Sequence, residues 1–544
     1  MRVDKEQITS FMLTLGLMQD QITQIYQRAQ VSNNYTEELL SALYPANVFL
    51  PATTDYPTWI DKYFGSRPRL NASAVFTPET TEQVSSAVQI LEFFQRKFAI
   101  RGLGFTSHPG MAGIEDGVLI ALEKMNAISV SPSKEVVSLG PGNNWGRVYE
   151  TLESQGLAAT GGELAVVGIS GLLIGNGFSQ FLSSRGFSSA DVANFEVVLA
   201  GGKVVNANAT ENEDLWWALK GGSNNFGIVT RFDMNTFPLP NGVWSGTLSY
   251  NQSQADAALE SFYDMQTGPL LDDPHLTVTC LEMIIPAIGL TTIDLATSTD
   301  KTNFTGSYPA AIKPLLDAEP ISTNMSRKTL TTLATQDVTP EFLSVYTKRI
   351  NRANVNVKAD KELYKEISTL LFTHYGSSAL EEHTIGLSWN PVTPHTVRET
   401  NRKGGNPAGW QEINQNCQYI LSPAWSSEVE SYEACADQKP AINLRTNWAN
   451  SADDAAAIQM DDAFVAKITE LARKRNALMP NQWLNNAAEN VDVMKSYGED
   501  NFERLRSVSD KYDAEKTFQR LCPGGYKLGM SEISGWSPLK LELS

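Results

Sequence analysis

Four glycine clusters punctuate residues 101 to 230, each at the edge of a short β-rich run. They read "RGLGFTSHPG" (101–110), "GPGNNW" (140–145), "GGELAVVGISGLLIGNG" (161–177) and "KGGSNNFGIVT" (220–230). Glycine lets a backbone turn tightly and lets its N–H groups approach a ligand. One such cluster is an ordinary turn. Four that alternate with strands describe backbone donors converging on a phosphate-bearing ligand. The dinucleotide turn G-x-G-x-x-G does not fit: Ser107 stands at the third glycine, and His108-Pro109-Gly110 cannot open a regular helix.

The runs between the clusters set the organisation. A chain of 544 residues exceeds one ordinary core, so two or three lobes are expected. "AVFTP" at 74–78 reads as a strand, 80–98 as an amphipathic helix with Val84, Ala87, Val88 and Leu91 on one face, and "FAIRG" as a second strand entering the first cluster. Thr80 and Gln83 fit a capping box. From 117 to 240 short strands prevail, with Gly201-Gly202 marking a hairpin and 212–222 a short helix. Beyond 241, "VWSGTLSYN" puts Trp244, Leu248 and Tyr250 on one strand face. "LTVTCLEMII", "TIGLSWNPV" and "CQYILSPAW" are further strands, and 360–372, 455–475 and 500–511 are helices.

Composition excludes several partners. Lys plus Arg number 43 against 61 Asp plus Glu, a net charge of −18, so the basic footprint of a nucleic-acid binder is missing. An anionic membrane surface is disfavoured likewise, and the most apolar stretch, 164–174, is far shorter than the roughly 20 residues that span a bilayer. Cys280, Cys417, Cys435 and Cys522 form no C-x-x-C pair and have no metal-ligand spacing; free buried thiols are expected, with a Cys417–Cys435 bridge as the alternative, and no metal. The N-terminus lacks the long apolar run of a secretory leader, so the cytoplasm is the expectation. Sequons at Asn34, Asn71, Asn208, Asn251, Asn303 and Asn324 are about what such a composition produces by chance.

The wording of the clusters resembles a known family. "VSLGPGNNWGRVYETLESQGL", "NFEVVLAGGKVV", "DLWWALKGGSNNFGIVTRF" and, near the end, "WLN" (483–485) and "KYDAEKTFQRLCPGGYKL" (511–528) are similar to the fungal berberine bridge enzyme-like FAD oxidoreductases of the vanillyl-alcohol oxidase type. The resemblance implies an α+β fold. A two-subdomain FAD-binding domain of the PCMH type would occupy 45–240 and 476–530, with an antiparallel-sheet substrate domain inserted at 241–475. A helical extension (1–44) and a tail (531–544) complete the chain. It further implies that Arg101, Gly102, Leu103, Gly104, Phe105 and Thr106 cradle the pyrophosphate, that Gly162, Gly168, Ser170, Gly171, Gly175, Asn176 and Gly177 line the flavin, that Ile228 and Val229 hold the adenine end, and that Asn485 sits near the ring. A secretory route is possible on the same resemblance, and the expected assembly is a monomer or homodimer.

Four positions, Phe105, Leu164, Trp483 and Asn486, depart from that family. Its covalent histidine falls on Phe105 and its cysteine anchor on Leu164, and neither side chain carries a nucleophile. FAD is therefore expected to bind non-covalently. The "YxNY" pattern reads "WLNN", so Trp483 replaces a phenolic base while Asn485 stays. Oxidation of a small secondary metabolite, polyketide or alkaloid-like, with oxygen as acceptor is the first expectation. A redox-neutral double-bond isomerase or cyclase that uses a buried carboxylic acid as general acid is the second. A binding module without catalysis has only the missing anchors in its favour. Glu382, His383, Trp483 and Glu532 are the catalytic candidates, with Glu381 and Glu412 as further carboxylates; Trp389, Trp410, Trp425 and Trp448 are core or pocket residues.

Overall fold

The computed structural model describes residues 4–32, 34–285, 288–297, 312–344, 347–376, 378, 380, 383–410 and 439–529. "CQYILSPAW", with Trp425, Cys417 and Cys435, lies outside them.

A mostly parallel sheet opens the fold. Its strands run in the order Val48–Phe49, Ala74–Phe76, Val118–Ala121, Phe98–Arg101, the last three parallel. The helix Thr81–Phe93 joins two of them and buries Val84, Ala87, Val88 and Leu91 against this sheet. Thr80 accepts the Gln83 N–H at 3.3 Å, but the Gln83 side chain reaches back to the Glu79 N–H (2.7 Å), so the capping box is displaced by one residue. The helix stops before the expected 98 because Gln95 adopts a φ of 51°, turning the chain into its next strand. Three helices, Lys5–Thr14, Gln19–Ser32 and Tyr35–Leu43, pack on the same core.

The second sheet is antiparallel, in the order Ile128–Val130, Val136–Leu139, Ile228–Asn235, Val192–Val198, Val204–Asn208. Gly201 and Gly202 turn its hairpin with φ of 72° and 77°. The short helix Glu213–Leu219 packs Trp216 and Trp217 into the core beneath. The helix Glu499–Tyr512 adds Phe502, Leu505 and Val508 to that core, so this segment belongs to the glycine-rich half.

Among the described residues the third sheet has nine strands, all antiparallel. Its long members lie in the order Val243–Asn251, Ile288–Thr297, Leu276–Ile285, Thr384–Val392, Lys439–Trp448, Arg349–Val357. Helices Ala255–Thr267, Lys361–Tyr375 and Asp454–Lys474 cover one face through Phe262, Leu363, Ile367, Phe464 and Ile468, packed on Leu387, Trp389, Ile442 and Leu444. The α+β architecture is thus the expected one. Trp389 and Trp448 are fully buried and Trp410 joins the core of the glycine-rich half. Cys280 and Cys522 are free and buried. No described helix is long and apolar enough to cross a membrane.

Glu282 is a buried carboxyl inside this sheet. It accepts hydrogen bonds from Ser368 Oγ and from Trp389 Nε1 (2.9 Å), yet burial outweighs both and raises its pKa to about 7. The folded protein therefore holds a proton that the unfolded chain releases near its ordinary value, and stability falls as pH rises from about 4.5 through 7. Replacement of Glu282 by Gln is expected to flatten that fall, by on the order of 3 kcal/mol at most. Melting temperatures of both proteins between pH 5 and pH 8 check it; parallel curves refute it.

Candidate active site

Arg101 fixes the start of the first glycine loop. Its fully buried guanidinium bonds Glu123 (2.7 Å) and the Trp59 carbonyl (2.8 Å) and lies 4.8 Å from the Tyr63 ring centre. Three residues on, Gly104 has a φ of 69°, and a Cβ there would stand 2.5 Å from the Lys62 carbonyl. Its own carbonyl accepts from the Phe64 and Thr106 N–H groups. The N–H groups of Leu103, Gly104 and Phe105 donate to no protein acceptor among the described residues. Adjacent unspent donors in a tight loop form an anion cradle.

The other clusters pack against this loop at glycine distance. A Cβ on Gly102 would lie 3.2 Å from Ser170, and one on Gly168 3.0 Å from Leu103. Ser170 Oγ donates to the Pro141 carbonyl at 2.6 Å, tying the second cluster to the third. Asn485 then clamps the end of the third. Its Nδ2 donates to the Gly171 carbonyl (2.8 Å), and its Oδ1 accepts from Gly177 N–H (3.1 Å) and Trp483 Nε1 (3.0 Å). A Cβ on Gly175 would meet that amide at 2.3 Å.

Together these segments wall one side of a cavity of about 470 Å³. Gly102, Leu103, Gly104, Phe105, Thr106, Gly162, Gly168, Ser170, Gly171, Ile228, Val229, Trp483 and Asn485 all line it, as does Leu164. Arg101, Gly175, Asn176 and Gly177, also expected to contact the cofactor, are not among its lining residues. The open face of the nine-stranded sheet supplies the other wall, with Leu281, Met283, Ser388, Asn443, Asn447, Arg352 and Arg445.

The catalytic candidates fare differently. Trp483 lines the cavity, its ring 4.0 Å from that of Phe178. His383 lies on the helix-covered side of the sheet: Nδ1 is 2.6 Å from Ser378 Oγ, its ring is 5.7 Å from Tyr375, and burial lowers its pKa. Glu382 and Glu532, like Glu381 and Glu412, lie outside the described residues.

Glu163 was passed over between two residues that were singled out, Gly162 and Leu164. It is the one carboxylate among the described lining residues. Burial, and then the charge of Asp294, raises its pKa to about 7. Phe105 is held by stacking on Phe64 (4.0 Å), and the Arg352 guanidinium sits 5.2 Å from the Phe105 centre and 5.3 Å from that of Phe64. His108 also lines the cavity, but Nε2 lies 2.9 Å from the Ala487 carbonyl and Nδ1 3.5 Å from the Glu489 carboxylate, so both nitrogens face protein oxygens.

Comparison with known proteins gives this arrangement a class. Residues 72–208 match the FAD binding domain family. The chain is 30% identical over 532 residues to a FAD-dependent monooxygenase, prx3, of Penicillium roqueforti, covering 95% of this chain and 97% of that one. Solved structures of similar fold include a BBE-like protein of Physcomitrella patens (TM-score 0.68, 18% identity, 88% of this chain and 97% of that one). A glucooligosaccharide oxidase of Acremonium strictum, whose FAD is 6-S-cysteinyl and 8α-N1-histidyl, matches equally, with a TM-score of 0.68, 18% identity, and 88% and 97% covered. The chain belongs to the berberine bridge enzyme-like family of FAD-linked oxidoreductases. It is an enzyme that binds FAD, and the unspent loop donors and the glycine-walled cavity fit a pyrophosphate and a flavin.

Asn485→Ala removes three hydrogen bonds across the clamp. At about 1 kcal/mol or more for each, FAD affinity should fall by about tenfold or more. Flavin absorbance per protein after purification reads the loss; an undiminished ratio would show that the clamp does not serve the cofactor.

Proposed function

We propose that this protein oxidises a small secondary metabolite with FAD held without a covalent bond and oxygen as the final acceptor. The observation that carries the attachment is the chemistry of the two anchor positions. Phe105 and Leu164 both line the cavity and have no nucleophile, while His108 has Nε2 2.9 Å from the Ala487 carbonyl and Nδ1 3.5 Å from the Glu489 carboxylate. Acid precipitation should leave all flavin in the supernatant. Colour retained in the pellet would overturn non-covalent binding, and a protein that takes up no FAD would overturn the oxidation itself.

Bound FAD supplies a two-electron acceptor; the protein must supply the proton relay and the orientation. Glu163 is suited to the relay. With a pKa of about 7 it is close to half ionised at neutral pH, where proton transfer by a carboxyl is most efficient. Its ionised oxygen takes a proton from a substrate O–H or C–H. Trp483 offers no acceptor lone pair, so the phenolic route is closed. Loop residues 102–106 and the Asn485 clamp hold the cofactor side, and the sheet face orients the substrate.

The same carboxyl supports a second reading, a redox-neutral isomerase or cyclase in which Glu163 donates a proton. The two readings differ in sign. As a base, Glu163 acts ionised, and kcat rises with pH through about 7 to a plateau. As an acid it acts protonated, and kcat falls through the same range. Glu163→Gln should lower kcat by roughly 10²–10⁴-fold and remove that limb, with FAD content unchanged. A variant with a wild-type kcat and pH profile would eliminate both roles for Glu163.

A further inference from the structure

Arg352 and Arg445 face each other directly across neighbouring antiparallel strands. Directly opposed residues share one face of the sheet with Cβ atoms about 5 Å apart, and like charges there are destabilising unless something neutralises them. None of the described residues does. Neither guanidinium meets a carboxylate among the described residues. Among the described residues Arg352 reaches Asn486 Oδ1 at 3.5 Å and the rings of Phe64 and Phe105, and Arg445 lies 6.0 Å from the Phe342 ring. Burial and the opposed Arg445 lower the Arg352 pKa to about 9, and burial lowers that of Arg445.

The next rung of the same two strands adds a second observation. Asn354 stands opposite Asn443, both more than nine-tenths buried. Asn354 has neither amide atom hydrogen-bonded, and Asn443 has its Oδ1 unpaired. Buried amides without partners are rare in a finished fold and mark a place where a polar ligand completes them. Leu281 and Met283, on the same sheet, give the cavity apolar surface beside this polar strip.

We propose that Arg352 and Arg445 form an anion-binding pair and that the substrate enters the cavity as an anion, carrying a carboxylate or an acidic enol or phenol ionised at neutral pH on an apolar body. This rests on the reading of the cavity as a substrate site. An ionised oxygen between two guanidiniums gains charge-assisted hydrogen bonds that neither water nor a neutral isostere supplies there. It also relieves the repulsion between the arginines, so the site is selective for charge.

Octanoate and octanamide, alike in shape and unlike in charge, test it. Binding to the purified holoprotein is followed by calorimetry and by perturbation of the flavin spectrum. Octanoate should bind about tenfold or more tightly than octanamide. Arg445→Met should abolish the preference and Arg445→Lys should keep part of it. Equal binding of the two probes by the wild type overturns the proposal, whether or not any variant folds. So does a preference that persists when both arginines are methionine. If instead Arg445→Met weakens FAD binding about tenfold and leaves the probe preference intact, the pair serves the cofactor and not the substrate. Calorimetry reads the preference even in colourless protein, so failure of the flavin reading is separable from failure of this one.

Discussion

The clamp made by Asn485 is the contact on which the site depends. Its amide joins the C-terminal segment to Gly171 and Gly177, residues 314 and 308 positions away in the chain. Between the two halves of that contact lies the whole nine-stranded sheet. The chain must therefore leave the glycine-rich lobe, build the sheet with its helices, and return before the cavity has a floor. A side chain larger than hydrogen at position 175 would push the amide away, which is why the turn is glycine and the closing residue is short and polar. Such a closure over a long loop is entropically slow to form but, once packed by Phe502, Leu505 and Val508, it needs no covalent staple.

Closing the cavity also sets its electrostatics. A carboxyl and two guanidiniums share a space walled by Leu103, Leu164, Leu281 and Met283, where charge is poorly solvated. Burial moves Glu163 toward neutrality, while Arg352, with its pKa lowered only to about 9, stays charged at neutral pH. On the anion proposal, a ligand between the arginines supplies their counter-charge and excludes water from the carboxyl. On that reading, binding and proton transfer are coupled through one low-dielectric volume.

The glycine clusters were legible in the sequence because their information is local: a turn, a missing Cβ and a free N–H are properties of a few consecutive residues. The sheet face was not. A one-residue change of register sends every side chain of a strand to the other side, so Arg352 and Arg445 read as unremarkable charges until their strands are paired. His383 shows that part of this was available. Ile385, Leu387 and Trp389 alternate as an apolar set, and His383 shares their parity, so it travels with them to the helix-covered face, while Thr384, Gly386 and Ser388 line the cavity. Glu163 was hidden differently. It sits in a stretch whose neighbours matched a pattern, and only the enclosed cavity sets its carboxyl apart as the one among the described lining residues.

Phe105 answers to both walls at once. In a family whose covalent histidine falls at this position, a phenyl ring cannot bond a cofactor, yet it is not idle packing. Stacked on Phe64, it presents a π-face to Arg352, and the ring quadrupole holds a guanidinium that meets no carboxylate among the described residues. A cation–π contact fixes the arginine's position while leaving its N–H fork unspent, which a salt bridge would not do. The first glycine loop thus also positions a residue of the sheet wall. The missing nucleophile at 105 and the placing of Arg352 are, on this geometry, two consequences of one residue.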